Sequence, residues 1–502
     1  MSSIQTQLPA LQIIVPLVAG PIIVLLRHRL FAWFASTAVS VFTLLASISI
    51  LDRVRTQGAI DYYLGGWPQH VGITYKIDVV NAFMLVLLSA ITFVVMLFAR
   101  QSVQKEIPED KHHLFYAALL LCFTGLMGIC ITGDAFNVFV FLEISSLSAY
   151  ALIGMGSSPK APLAAFRYLV MGTIGGTFIL MGLGFLLMAT GTLNMAELVK
   201  LIPPVADTTM IRAGFAFIAI GSAIKLALFP LHMWLPDCYT YAPSVVSSFL
   251  SATATKVSYY VLVRAVFVLF GAALIEQTVR MEAVFFPMAM LAIFVGSIKA
   301  IGQINIKRLL AYSSVAQIGY MVLGLSFGNQ DGLTGGMIHL FNHALMKGGL
   351  FLVLGCVAYQ ISSKESGWQV TIDDMKGLGK RMPLTAFAFV LGGLSMIGVP
   401  LTAGFVSKWY LALGALNAGM WWVVPLILLA SLLAVLYIWK VVEAAYFQEP
   451  PEGAECKDAP WGLLVPTYLL IGASFYFGIF TDPMLSSARE AADLLLTAGG
   501  AK

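Results

Sequence analysis

Apolar runs long enough to cross a bilayer recur along this chain, and they decide most of what it can become. Leu11–Leu26, Ala82–Ala99, Leu114–Ile131 and Trp461–Phe480 each contain an apolar stretch close to the roughly 20 residues that a helix needs to span hydrocarbon. Backbone polar groups in lipid must be satisfied within the segment or by closing a barrel, and the period-two alternation of a barrel is absent. The runs are therefore read as helices. Only 11% of the residues are charged, against about a quarter in a soluble domain, so a soluble globular reading is excluded. The fold class is all-α, a polytopic membrane protein.

Fourteen spans are expected, at 9–26, 30–51, 78–99, 114–132, 134–153, 162–190, 212–241, 245–271, 283–302, 307–327, 333–360, 384–411, 421–447 and 461–480. The first apolar segment lacks a basic leader and a small-residue cleavage site, so it reads as the first span and not as a signal peptide. With the N-terminus outside, the loops that hold Arg27, Arg29, Arg100, Lys111, Lys299, Lys307 and Arg308 fall on the cytoplasmic side. The opposite side, with Arg53, Arg55, Lys76, Lys200, Arg212 and Arg264, holds fewer cations. That bias places both termini outside. The polar connections near 52–77, 191–211, 361–383 and 448–460 are too short to bury a core of their own, and the tail 482–496 suits an amphipathic surface helix. The five cysteines show no metal or disulfide spacing, and the net charge of +4 is too small and too dispersed to suggest nucleic acid.

Two spans look broken. The apolar region 223–247, AIKLALFPLHMWLPDCYTYAPSVVS, places Pro230 and Pro236 in the seventh span and Pro243 just after it, and the twelfth contains Gly398, Pro400 and Gly404 beside Lys408. Broken helices at membrane depth are tolerated only against protein or water, and in transporters they mark the ion path. Their positions suggest two related halves, spans 4–8 and 9–13.

Ionisable residues at that depth carry the functional reading. Glu143 lies mid-span in FNVFVFLEISSLSAYAL, and Lys225 precedes the first break; each costs about 2.5–3.5 kcal/mol at a helix centre, so they are expected to pair and to act as a charge switch. The bland reading is a static ion pair that fixes packing. Lys256 stands among Ser251, Thr253, Thr255, Ser258 and Tyr259, groups that can hold water, and is too deep to snorkel. His339, His343 and Lys347 recur every fourth residue, on one helical face. A zinc site is a weak reading, because the HExxH pattern would need Glu where Leu340 stands. Histidine titrates near neutral pH, so a proton relay is preferred, with His339 favoured over His343. Lys408 follows the second break. Lys299, Lys307 and Arg308 read as topology determinants, and Asp134, His232 and Asp237 as secondary candidates for entry groups.

These residues bring a family into view. The stretch 224–264, with QINIKRLLAYSSVAQIGYM (303–321), HLFNHALMKGGLF (339–351) and GVPLTAGFVSK (398–408), resembles the antiporter-like proton-conducting subunits shared by respiratory complex I, membrane-bound hydrogenases and Mrp cation/proton antiporters. The length and FNVFVFLEISSLSAYALIG are most similar to the D-subunit branch of the Mrp type. The resemblance implies about fourteen transmembrane helices with two inverted five-helix repeats. Residues 1–110 would form the N-terminal helices, 111–272 and 273–447 the two repeats, and 448–502 the last helix and tail. It also implies a central hydrophilic axis, with proton transfer falling on Glu143, Lys225, Lys256, His339 and Lys408. Asn305, Gln317 and Leu401 depart from residues found in the family, and Lys408 from the glutamate that one complex I homologue carries there.

The expected function is proton translocation within a hetero-oligomeric complex of the inner cell membrane, exchanged for Na+ and assembled with other membrane subunits, without cofactor or metal. A redox-driven proton pump subunit is the first rival. A non-conducting membrane scaffold, whose buried charges only hold partners together, is the second. Nothing resembles a nucleophile with its base, a phosphate loop or a metal cage, so the chain does not read as an enzyme.

Overall fold

Side chains at the ends of the apolar runs close their helices, and the runs wind accordingly. In the computed structural model, which describes residues 3–69, 71–271, 280–361, 369–451 and 457–498, the first helices are α1 (Ser3–Leu26), α2 (Arg29–Gln57) and α3 (Val79–Glu106). They are followed by α4 (His112–Ile131), α5 (Ala135–Gly154), α6 (Ala161–Thr190), the short α7 (Met195–Leu201) and α8 (Thr209–Leu226). Asp78 and Asn81 form a reciprocal capping box at the start of α3, Asp134 caps α5 and Thr208 caps α8, each satisfying N–H groups that have no partner within the helix.

After α8 the chain is non-helical until α9 (Leu235–Tyr241), which is followed by α10 (Ser244–Ala252) and α11 (Ala254–Val263). Then come α12 (Met281–Ile301), α13 (Ile306–Ser326), α14 (Gln330–Ile361), the single turn α15 (Leu378–Arg381), α16 (Pro383–Ile397), α17 (Ala403–Asn417), α18 (Val423–Phe447), α19 (Trp461–Ile479) and α20 (Asp482–Ala498). Thirteen helices among the described residues are long and apolar enough to cross a membrane. The broken pair α16 and α17 supplies the further crossing, so the expected architecture of about fourteen spans stands.

Both expected breaks are present, and in each the freed backbone groups find partners. At the first, Ala227 takes a left-handed backbone (φ 60°), the Trp234 indole donates to the Ile224 carbonyl (2.9 Å), and the Leu228 N–H reaches the Ala223 carbonyl. At the second, Gly398 (φ 86°) and Leu401 (φ 73°) turn the chain, and Thr402 caps α17. Two features differ from expectation. Residues 245–271, read as one span, are interrupted at Thr253 (φ −122°, ψ −59°) and wound more widely, with a six-residue π-turn, over Arg264–Leu269. The polar connection 52–77 holds a two-stranded antiparallel ribbon, β1 (Ile60–Tyr63) with β2 (Thr74–Ile77).

The long α14 is buried over most of its length and packs against α10, α13, α16, α17, α19 and α20. A helix covered on all sides has no lipid-facing stripe to define, so the polar residues of its buried stretch, from Thr334 to Lys347, point into protein. The tail helix α20 buries Met484, Ala488, Ala491, Ala492 and Leu495 and turns its other face outward, as an amphipathic helix must. Of the expected segment boundaries, the one at 272/273 lies outside the described residues.

Candidate functional site

The polar groups of the interior cluster where helices end. Lys225 occupies the last turn of α8, where helical carbonyls present partial negative charge. Its ammonium lies 3.4 Å from Glu143 Oε1 and donates to Ser146 Oγ at 2.8 Å. Glu143 comes from α5 and faces Gly176 of α6, where even a Cβ would overlap its Oε1. The two side chains differ in setting: that of Lys225 is 4% exposed and that of Glu143 is 26% exposed, so the carboxylate is the member within reach of outside influence. A void of about 20 Å³, bounded by Lys225, Ser145 and Ser146, continues to Ala254, Val257 and Ser258 on the helix of Lys256, and that volume suits a single water.

Lys256 lies three residues beyond the interruption at Thr253 and is fully buried. Its Nζ donates to the Ser251 carbonyl and, at 3.2 Å, to Thr255 Oγ1. The interruption was not anticipated, yet it accounts for how a lysine is tolerated there: a carbonyl beside a break is free to serve the ammonium. Lys408 obeys the same rule. It donates to the Ile397 carbonyl (2.7 Å) and the Met396 carbonyl (3.4 Å), both in the last turn of α16, and to Ser431 Oγ (2.9 Å). It therefore does not snorkel to an interface. It is buried, with its ammonium 4.9 Å from the centre of the Tyr320 ring.

Between these lysines stand the residues of α14. The rings of His339 and His343 stack at 6.3 Å, and His343 lies within electrostatic range of Lys256 and Lys347. Lys347 donates to the Leu310 carbonyl (2.9 Å) and to Ser313 Oγ. His339 Nδ1 is 2.9 Å from Ser407 Oγ. Because the single hydroxyl proton of Ser407 goes to the Gly404 carbonyl at 2.8 Å, its oxygen accepts from His339 Nδ1–H, which leaves Nε2 as the bare acceptor. His339 Nε2, both ring nitrogens of His343 and the Tyr259 hydroxyl are buried and make no hydrogen bond among the described residues. Buried polar atoms are rarely left so; this run of them marks a region suited to water. Together the α14 histidines thus stand within electrostatic range of both Lys256 and Lys408.

The secondary candidates separate from this line. Asp237 is held by Arg167 and by Arg308 (3.6 Å), away from the central lysines. His232 is buried and stacked on Phe229 with ring centres 5.3 Å apart. Asp134 serves as the cap of α5, accepting from Asn137 N at 2.7 Å; burial pushes its carboxyl up while backbone N–H bonds pull it down. Two expectations need correction. Lys307, read as a topology determinant, is buried with its Nζ 3.1 Å from the Ala242 carbonyl, because the turn at Pro243 leaves that carbonyl to be capped. Arg264, placed among the loop cations, is instead half-buried in an ion pair, its Nη2 2.6 and 2.7 Å from the Asp78 oxygens. An arginine this far inside an apolar run is the signal that could have found it. Among the described residues no three His, Cys, Asp or Glu side chains gather as metal ligands.

A family model described as NADH:quinone oxidoreductase/Mrp antiporter, transmembrane, matches residues 132–434. The chain is 40% identical over 500 residues to the N subunit of NADH-quinone oxidoreductase of Desulforudis audaxviator, covering 96% of this chain and 98% of that one. It is 28% identical over 488 residues to the D subunit of the Na(+)/H(+) antiporter of Alkalihalophilus pseudofirmus, covering 97% and 96%. Its backbone matches a chain of the Mrp complex from a Dietzia species with a TM-score of 0.89 at 24% identity, covering 99% and 98%.

Proposed function

From a chain that belongs to the NADH:quinone oxidoreductase/Mrp antiporter transmembrane family, we propose a proton-translocating subunit that works inside a larger membrane complex. The observation that carries this reading is the buried series Lys225, Lys256, His343, His339 and Lys408, in which each lysine is held by a neighbouring carboxylate, carbonyl or hydroxyl and the histidines between have free ring nitrogens. Placing three lysines and two histidines inside a bundle is costly, and packing alone gives no reason to bear that cost.

Proton transfer in this reading falls on Glu143, Lys225, Lys256, His339 and Lys408, with His343 and Lys347 as supports. With the Glu143–Lys225 pair closed, the lysine charge is compensated. When the partly exposed Glu143 is drawn away by charge on a neighbouring subunit, the uncompensated Lys225 repels a proton on Lys256 across the intervening small void. His339 Nε2 is the acceptor on the way to Lys408. The two antiporter-like halves, 111–272 and 273–447, each contribute a lysine beside a break, Lys256 in one and Lys408 in the other.

Two couplings are compatible with this chemistry. Exchange of protons for Na+ in an Mrp-type complex rests on the 28% identical antiporter relative. A redox-driven complex is favoured by the 40% identity with the oxidoreductase relative over nearly the whole length of both chains. Isolation of the intact complex separates them: iron–sulfur or flavin proteins in the preparation support redox drive, and sodium-dependent proton uptake by vesicles without such proteins supports exchange. Proton transport itself is tested with Lys225→Ala and Lys256→Ala in vesicles that hold the assembled complex. Loss of transport with assembly retained is expected; wild-type transport in either variant rejects the proposal, and dissociation of the complex points to a scaffold.

A further inference from the structure

A second void lies next to the water-sized one beside Lys225. It measures about 300 Å³ and is bounded by α4, α5, α6, α8 and the segment from Tyr260 to Leu269. At one end it reaches the exposed Ala59, just before the β-ribbon, and the exposed Lys76 within it. Its inner walls are apolar, formed by residues such as Val138, Leu183 and Ile218. Two residues, Ile129 and Val261, line both this void and the small one that contains Lys225, and both are buried. They are the partition between a surface-connected chamber and the charge pair.

We propose that the larger chamber is an access vestibule through which protons pass between the ribbon face of the protein and the Lys225–Lys256 region, with Ile129 and Val261 as its hydrophobic gate. This inference rests on the proton-translocating reading above and adds to it a face, a path and a gate. A constriction of apolar side chains about one water wide stays dry until a charge beyond it makes wetting favourable. Lys225 supplies that charge. Paired with Glu143 it needs little hydration; released, its ammonium borders the small void and must be solvated or lose its proton.

The mouth is built to pass protons and not metal cations. The one carboxylate among its described lining residues, Asp78, is occupied by Arg264, which also donates to the Tyr260 hydroxyl at 3.2 Å. Tyr260 in turn donates to the Cys130 carbonyl (3.1 Å) and accepts from Asn81 (2.9 Å). With Lys76 at the entrance, the described lining carries no unpaired negative charge to hold a sodium ion, whereas a string of waters between hydroxyl, amide and carbonyl groups can relay a proton. The π-turn over Arg264–Leu269 lies just beyond Val261, and such turns recur at functional sites.

The test uses membrane vesicles that contain the complete complex and a pH-sensitive dye. Val261→Phe, which fills the partition, is expected to lower driven proton movement about tenfold, while Ile129→Ala with Val261→Ala raises the passive proton leak several-fold without admitting sodium. Val261→Cys, in a background freed of the five natural cysteines, is expected to react with a membrane-impermeant, negatively charged thiol reagent, which the Lys76 and Arg264 lining does not repel, from the ribbon face alone. This near-isosteric variant keeps the inference testable even if Val261→Phe fails to assemble. Unchanged transport in an assembled Val261→Phe complex, a tight double-alanine variant, sodium entry, or labelling of Val261→Cys from the other face or from neither overturns it. Lys225→Ala and Lys256→Ala are measured in parallel: if these are inactive while the gate variants behave as wild type, only the vestibule fails, and if they transport normally the underlying proton reading fails with it.

Discussion

Replacing Glu143 with Gln and Lys225 with Met, singly and together, separates the worth of their ion pair from the worth of either side chain. Two unit charges at the observed 3.4 Å attract by about 5 kcal/mol at an effective dielectric constant near 20. The Glu143 side chain is 26% exposed, so solvent screens roughly half of that, and a coupling of about 2–3 kcal/mol remains. Glu143→Gln keeps an amide oxygen beside the Lys225 ammonium and the Ser146 hydroxyl but removes the compensating charge, and losing that charge from a buried pair costs about 3 kcal/mol. Lys225→Met keeps the apolar stem and leaves the carboxylate its partial access to the surface, so it costs less. The double variant removes both charges and recovers most of the loss. Reversible unfolding in mixed micelles, titrated with a denaturing detergent, reads all three changes as a double-mutant cycle. A coupling under about 0.5 kcal/mol refutes the electrostatic argument. Transport separates a switch from a brace: a brace restored in stability by the double substitution regains transport, whereas a switch that needs a mobile charge stays silent in all three variants.

Gly176→Ala places a methyl against Glu143 Oε1; because that oxygen ends a flexible side chain, stability changes by less than about 1 kcal/mol while proton transport falls, and an unaltered transport rate would show that the carboxylate position is not critical. Leu401→Pro fails to assemble because φ at this position is +73° and proline holds φ near −65°, whereas Leu401→Gly raises the thermal midpoint by relieving about 1 kcal/mol of backbone strain; a stable proline variant in the same melting assay contradicts the described turn. Ser407→Ala removes the acceptor for His339 Nδ1–H and frees the ring to change tautomer, so transport slows with Lys408 intact, and Ser407→Thr, which keeps the hydroxyl, rescues it. Asp78→Ala removes both oxygens that hold the partly buried Arg264 guanidinium; water in the adjoining chamber compensates in part, so the cost is about 1–3 kcal/mol, seen as a lowered melting temperature in detergent, and a wild-type melting curve would show that the ion pair adds nothing to stability.

The amino-acid sequence by itself determined the class of the molecule, the number of spans and where two of them break. Uninterrupted apolar runs have one solution in lipid, and proline or glycine inside such a run states locally that hydrogen bonds are missing. It also singled out Glu143, Lys225, Lys256, His339 and Lys408, since a charge at membrane depth is conspicuous without any knowledge of neighbours. What surrounds each charge was not legible. The interruption at Thr253 has no proline or glycine to announce it, and the carbonyls that hold Lys256 and Lys408 become available only once the chain has turned. Lys307 and Arg308 are adjacent in the chain and look alike as loop cations, yet Lys307 is buried beneath the turn at Pro243 and Arg308 faces Asp237. Arg264 and Asp78 lie on segments far apart in sequence, so no local pattern could pair them. Burial and pairing are properties of the assembled bundle, decided by which helix ends meet across it, whereas helix formation and charge depth are written residue by residue along the chain.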